Sequence, residues 1–160
     1  MEKCFTCGKK TMRTTREDRP YEALPGTVLH QVMVHRCSSC GEDAVEIPAL
    51  EGLTRALVQV VVEQPGRLQP AEIRFLRKAL GWSGEDFAKR FGVAVESVSR
   101  WENGKREMPG TTERLLRVLA ARLPAMADYA DELENVATDE PRPKGYSAKC
   151  KGKSWTAKVA

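Results

Sequence analysis

The chain lacks any stretch near the roughly 18 consecutive apolar residues of a membrane span, and its first residues hold no apolar segment of the secretory kind. No membrane partner is therefore expected, and the cytoplasm is the expected compartment. Histidine is scarce: His30 and His35 are the only imidazoles in 160 residues. Residues 125–140 carry no base and residues 141–160 carry no acid. The two adjacent blocks are thus of opposite sign.

The rest of the charge is equally uneven. Residues 1–47 balance seven bases with seven acids, whereas 70–124 carry eleven bases against seven acids. The excess positive charge of the ordered part thus falls on one segment. At 41% apolar and 30% charged, the chain has room for two small soluble domains.

Cysteine is placed with equal selectivity. Cys4 and Cys7 form one C-x2-C pair and Cys37 and Cys40 a second, each followed directly by glycine, Gly8 and Gly41. Two thiolates from each of two turns make the four-sulfur tetrahedron that zinc prefers, and the glycines let backbone amides turn toward sulfur. A thioredoxin-like dithiol needs a strand before its first cysteine, which Cys4 does not have. Two disulfides would need an oxidising compartment that no other feature suggests. Four cysteines also fill the coordination shell, so one structural Zn2+ is expected, with no catalytic role and no enzyme activity. His30 and His35 read as strand residues rather than ligands. Cys150 has no partner at metal spacing.

Between the knuckles the apolar period is two, predicting strands over 11–16, 27–36 and 44–47. So small a sheet buries too little to stand alone, and the metal is expected to supply what the core lacks. From 48 to 63 the period becomes helical, with Leu50, Leu53, Leu57 and Val60 or Val61 on one face and Pro48 in the first turn. Residues 64–70 read as a flexible linker.

The segment 83–104 reads as two short helices around a tight turn. Ser83 is the N-cap, Phe87, Ala88 and Phe91 form the apolar face, and Gly92 stands where the first helix must end. Val95, Val98 and Trp101 make the second stripe, with Trp101 read as core. Helices joined so tightly cross steeply, which is the helix-turn-helix of DNA-binding proteins. A preceding helix carries Ile73, Leu76 and Leu80, with Arg74, Arg77 and Lys78 on its solvent face, and a later one, capped by Thr111 or Thr112, carries Leu115, Leu116, Val118 and Leu119. A further helix is expected over 125–136. The fold class expected is α+β in two small domains: a zinc-ribbon-like β module over 1–47, a connecting helix and linker over 48–69, and an all-α helix-turn-helix bundle over 70–124. An acidic helix and a basic tail, disordered by composition, follow over 125–160. The tail's lysines suit either non-specific DNA affinity or pairing with the acidic block beside them.

These motifs together resemble known families. Residues 73–119, through Arg77, Ala88, Gly92-Val93, the run Ser97-Val98-Ser99-Arg100-Trp101-Glu102 and Gly104, resemble the XRE-type helix-turn-helix. The two-knuckle module resembles the YgiT-type zinc finger. In this order they are similar to the MqsA family of antitoxins, as are residues 21–29, 35–40 and 113–119. The resemblance implies a zinc module that neutralises a ribonuclease-type toxin and a C-terminal module that dimerises on a double-stranded operator and represses its own operon. It implies base reading by Arg100, polar contacts from Ser97 and Ser99, and a structural ion pair between Arg77 and Glu102. Lys105 and Arg106 are expected on phosphates. Two positions depart from the family pattern: Gly84 replaces a backbone-contacting glutamine, and Glu96 replaces a base-reading asparagine. A carboxylate can accept from cytosine N4 but cannot donate to adenine, so an altered operator is expected. The alternative is a stand-alone XRE-family regulator with a structural zinc finger and no toxin partner.

Overall fold

The computed structural model describes residues 3–122 throughout and the backbone of 146–151 and 154–159. Strands β1 (Met12–Pro20), β2 (Val28–Cys37) and β3 (Asp43–Glu46) form one antiparallel sheet in that order. Among the described residues five helices follow: α1 (Leu50–Glu63), α2 (Pro70–Ala79), α3 (Gly84–Phe91), α4 (Val95–Glu102) and α5 (Gly110–Ala121). The architecture is α+β, a small sheet followed by a helical bundle.

The β1–β2 ladder runs from Met12 opposite Cys37 to Pro20 opposite Val28 and slips between Glu17 and Arg19. Gln31, on the facing strand, takes a left-handed φ of 54°, and its N–H donates to Asp18 Oδ1 at 2.9 Å. The Asp18 carboxylate thus holds the irregular residue in place. Met12, Val34 and Cys37 are the only buried residues of the three strands. An exposed network of Arg19, Arg36, Glu17 and Asp43, with contacts of 2.8–3.4 Å, crosses the sheet. Such pairs each contribute about 0–1 kcal/mol, so they do not replace a core.

The helical bundle has one. Leu76, Phe87, Val98, Trp101 and Leu116 are buried together with Ile73, Phe75, Trp82 and Met108, and Phe91 packs half-buried against them. The Phe87 and Phe91 rings meet edge to face at 4.3 Å. Helix ends follow local chemistry. Ser83 caps α3 through a reciprocal box with Asp86, and Gly92 ends it at φ 60°, a conformation that L side chains rarely adopt. Gln69 and Glu72 form the corresponding box at α2, with Pro70 in its first turn.

Several sequence expectations are corrected. Leu50, expected on the buried face of α1, is 52% exposed; of the two alternatives Val60 and Val61, the second is buried, beside Val58, and the first is 64% exposed. Pro48 lies before the N-cap Ala49, outside the helix. Val95 is exposed, so the α4 stripe consists of Val98 and Trp101. Leu115 and Val118 are exposed, and α5 starts at Gly110 behind Pro109 without a side-chain cap from Thr111 or Thr112.

The largest difference concerns the expected flexible linker. The Arg117 guanidinium donates to the carbonyls of Val61, Val62, Gln64 and Gly66 at 2.7–3.3 Å. Arg67 reaches the Met108 carbonyl and pairs with Glu113 at 3.0 Å, and the Leu68 N–H donates to Glu113 Oε1. Helix α1 packs on α5 and α2, and Leu24, from the β1–β2 loop, joins the same core. The 64–69 segment is therefore bolted to the bundle.

Two strands, β4 (Tyr146–Lys151) and β5 (Ser154–Val159), pair antiparallel within the region read as disordered from composition. Alternation of residue type outweighs lysine content there. The helix expected over 125–136 lies outside the described residues.

Candidate metal centre and nucleic-acid interface

The two knuckles are built alike. The Cys4 N–H donates to Lys9 O at 2.9 Å and the Cys37 N–H to Glu42 O at 2.8 Å; Gly8 and Gly41 donate back to Cys4 O and Cys37 O, both at 2.9 Å. Gly8 and Gly41 sit at φ 72° and 76°, which a side chain at either position would strain. Each C-x2-C-G run therefore closes a tight turn that presents both sulfurs on one side. The β1–β2 ladder then sets the turns face to face.

Cys4 Sγ lies 3.6 Å from Cys40 Sγ, Cys7 Sγ lies 3.6 Å from Cys37 Sγ, and all four sulfurs fall within 4.8 Å of one another. Ligands about 2.3 Å from a tetrahedral centre stand about 3.8 Å apart, so the set fits a metal ion of that geometry. The Thr11 hydroxyl, 3.1 Å from Cys37 Sγ, is the main cause that holds the Cys37 thiol down to about 6. A backbone hydrogen bond from Cys7 lowers the Cys4 thiol. At Cys40 a backbone hydrogen bond from Glu42 acts downward, but the Cys37 sulfur and burial outweigh it and push the thiol up to about 12. Four crowded thiolates repel, and a central cation removes that repulsion. His35 instead bridges Thr14 and Glu46, both at 3.0 Å, and His30 pairs with Asp18 at 2.9 Å, so neither imidazole joins the cluster.

Helix α4 divides its residues by face. Val98 and Trp101 are buried, Ser97 is half-buried, and Glu96, Ser99 and Arg100 are exposed. The turn after it folds back on α4, because Lys105 N–H and Arg106 N–H both donate to Arg100 O, at 2.9 and 3.3 Å. Exposed Lys105 and Arg106 are thereby held next to Arg100. Asn103 Nδ2 donates to Ser99 O at 2.7 Å and contacts Ser99 Oγ at 3.3 Å, which occupies one side of that hydroxyl. Gly84, at the start of α3, has open space where a side chain would stand.

Beneath this surface, Arg77 Nε lies 2.5 Å from Glu102 Oε1 and its Nη2 3.0 Å from Oε2. Arg77 also donates to Trp82 O at 2.7 Å, so it is a half-buried strut and not part of the solvent face. Arg74 adds contacts to Glu102 Oε2, Glu102 O and Asn103 Oδ1, each at 3.2 Å. Sequence reasoning missed Arg74 in this role; its i, i+3 spacing to Arg77 was the available signal. It also missed Arg67, Glu113 and Arg117. A glutamate four residues before an arginine is visible in sequence, but their carbonyl partners 51–56 residues away are not.

No helix among the described residues is long and apolar enough to cross a membrane. No curated protein matches the chain. The model of one protein family, described as the antitoxin component of a bacterial toxin-antitoxin system, MqsA, matches residues 1–129, which takes in both the four-cysteine cluster and the helices α1–α5. A match over that span, with a thiol tetrad and helical bundle in one order, means that the chain belongs to the MqsA antitoxin family.

Proposed function

We propose that this antitoxin is a sequence-specific transcriptional repressor. It holds one structural zinc ion on Cys4, Cys7, Cys37 and Cys40, binds a ribonuclease-type toxin through residues 1–47, and represses its own operon as a homodimer through residues 70–124. Residues 48–69 join the two parts. The role is non-catalytic and cytoplasmic. The observation that carries the DNA reading is the division of α4 and the turn after it: Val98 and Trp101 are sealed in the core while Glu96, Ser99, Arg100, Lys105 and Arg106 are exposed.

Each residue then has a chemical task. Arg100 donates to guanine O6 and N7 together, and Glu96 accepts from cytosine N4. Ser97 and Ser99 reach phosphate or base edges, and Lys105 and Arg106 neutralise phosphates. The Arg77–Glu102 pair keeps α4 at a fixed angle to α2. Zinc, when bound, cross-links the two knuckles. With four sulfurs in its shell it has no open position for substrate, which supports the non-catalytic reading.

The deciding experiment pairs the chain with its neighbouring reading frame. The neighbour should arrest growth when expressed alone, co-expression of this chain should relieve the arrest, and the purified chain should protect its own promoter DNA. Promoter protection without rescue from an authentic neighbour would leave a stand-alone regulator instead.

A further inference from the structure

The β4–β5 ribbon sorts its residues by chemistry. Tyr146 pairs with Val159, Ala148 with Ala157 and Cys150 with Trp155; these alternate positions lie on one face of the ribbon. The positions between them, Ser147 with Lys158, Lys149 with Thr156 and Lys151 with Ser154, share the other face. One face is thus apolar and aromatic, and the other holds lysines and hydroxyl residues only. A register one residue different would mix the two sets.

The lysine face has two further properties. Each of Lys149, Lys151 and Lys158 stands opposite a serine or threonine, so no two lysines are register partners in the ladder. The ribbon's sequence contains no carboxylate, and Arg142, Lys144 and Lys153 flank or interrupt its strands in the chain. The ribbon lies beyond the residues that the family model matches. Twenty-three residues, 123–145, separate it from the described end of the bundle. A chain of that length spans at most about 80 Å, more than the ~34 Å of one DNA helical turn.

We propose that the lysine face of this ribbon is a second, sequence-independent contact to the phosphate backbone of double-stranded DNA beside the site engaged by α4. It rests on the DNA-binding reading above. Its signature is electrostatic: lysines that displace condensed cations strengthen binding to every sequence and steepen its salt dependence. The acidic block over 125–140 is the competing partner within the chain.

The test compares the full chain with its K149Q/K151Q/K158Q variant on random-sequence duplex and on promoter DNA across a salt series. The slope of log affinity against log salt should fall by about 0.9 for each lysine removed, on both DNAs, while the ratio of promoter to random affinity holds. The Arg100→Ala variant should do the reverse, losing the ratio and keeping the ribbon's share of the slope. An unchanged slope in the lysine variant would overturn the proposal and point to neutralisation by the acidic block. A changed oligomeric state with an unchanged slope would also overturn it, making the ribbon a contact between copies. If the unaltered chain binds no DNA at any salt, the repressor reading itself fails, an outcome distinct from either.

Discussion

Arg117 and Glu113 stand one helical turn apart on α5, 3.1 Å between Nη2 and Oε1, and between them they fasten the 64–68 segment by backbone carbonyls on one side and the Leu68 N–H on the other. Glu113 is the one buried charged residue among those described, 5% exposed. Removing one partner of such a pair leaves the other unmatched in a poorly solvated place. Glu113→Ala should therefore destabilise the bundle by about 3 kcal/mol in urea denaturation. It should also open 64–69 to limited proteolysis. Denaturation as stable as the unaltered chain would show that the anchor is ornamental.

Metal content is the next measurable quantity. One zinc per chain and four thiols protected from alkylation are expected. A strong chelator should release all four thiols together and unfold the sheet while the helical signal of α1–α5 largely persists, because the sulfur cluster is separate from the helical core, into which only Leu24 and half-buried Tyr21 of residues 1–47 pack. Fewer than four protected thiols would exclude the closed tetrad.

For recognition, Arg100→Ala should cost about 1–3 kcal/mol on promoter DNA and flatten discrimination at one base position. Lys105→Ala should weaken all sequences alike and lower the salt slope by about 1. Footprinting and a salt series distinguish the two patterns. Equal loss of discrimination from both variants would contradict the assigned roles.

Gly84 offers a substitution in the opposite direction. A side chain there meets no atom within 4 Å, and its φ is not among the left-handed ones. Gly84→Gln should preserve the fold, raise helix propensity by up to about 0.5 kcal/mol, and tighten binding to promoter and random DNA together. Weaker binding would mean that α3 does not approach the backbone.

Acid lability should trace to the α3 cap. Hydrogen bonds from Ser83 hold the Asp86 carboxyl below its usual value of 3.8. A carboxyl lowered by folding adds stability above the unfolded value and loses it as pH falls through the folded one. Ser83→Ala should cost about 1 kcal/mol near neutrality. The gap between the two proteins should narrow below about pH 4, as read from thermal unfolding at several pH values.

Much of the fold is written in local chemistry. The repeated C-x2-C-G pattern, the Ser83 cap and the Gly92 stop each act within a few residues, and the thiol cluster and the two crossing helices follow from them. What escapes is decided at a distance. Val60 and Val61 are alike in composition, and only packing of α1 on α5 and α2 selects the second. Residues 64–70 have the composition of a linker, yet Arg117, far along the chain, pins them. The β4–β5 ribbon was obscured for a different reason: its lysines signal disorder in bulk, while its strict alternation is visible only position by position.

The ladder that begins at Met12 opposite Cys37 has a final consequence for the knuckles. Closing the 29-residue loop between them is an entropic cost that strand pairing and the ion bear together. Ion capture and strand pairing are then reciprocally linked: each strengthens the other by the same factor. A substitution at buried Val34, distant in chemistry from sulfur, should for that reason lower the apparent affinity for the ion by up to as much as it destabilises the sheet.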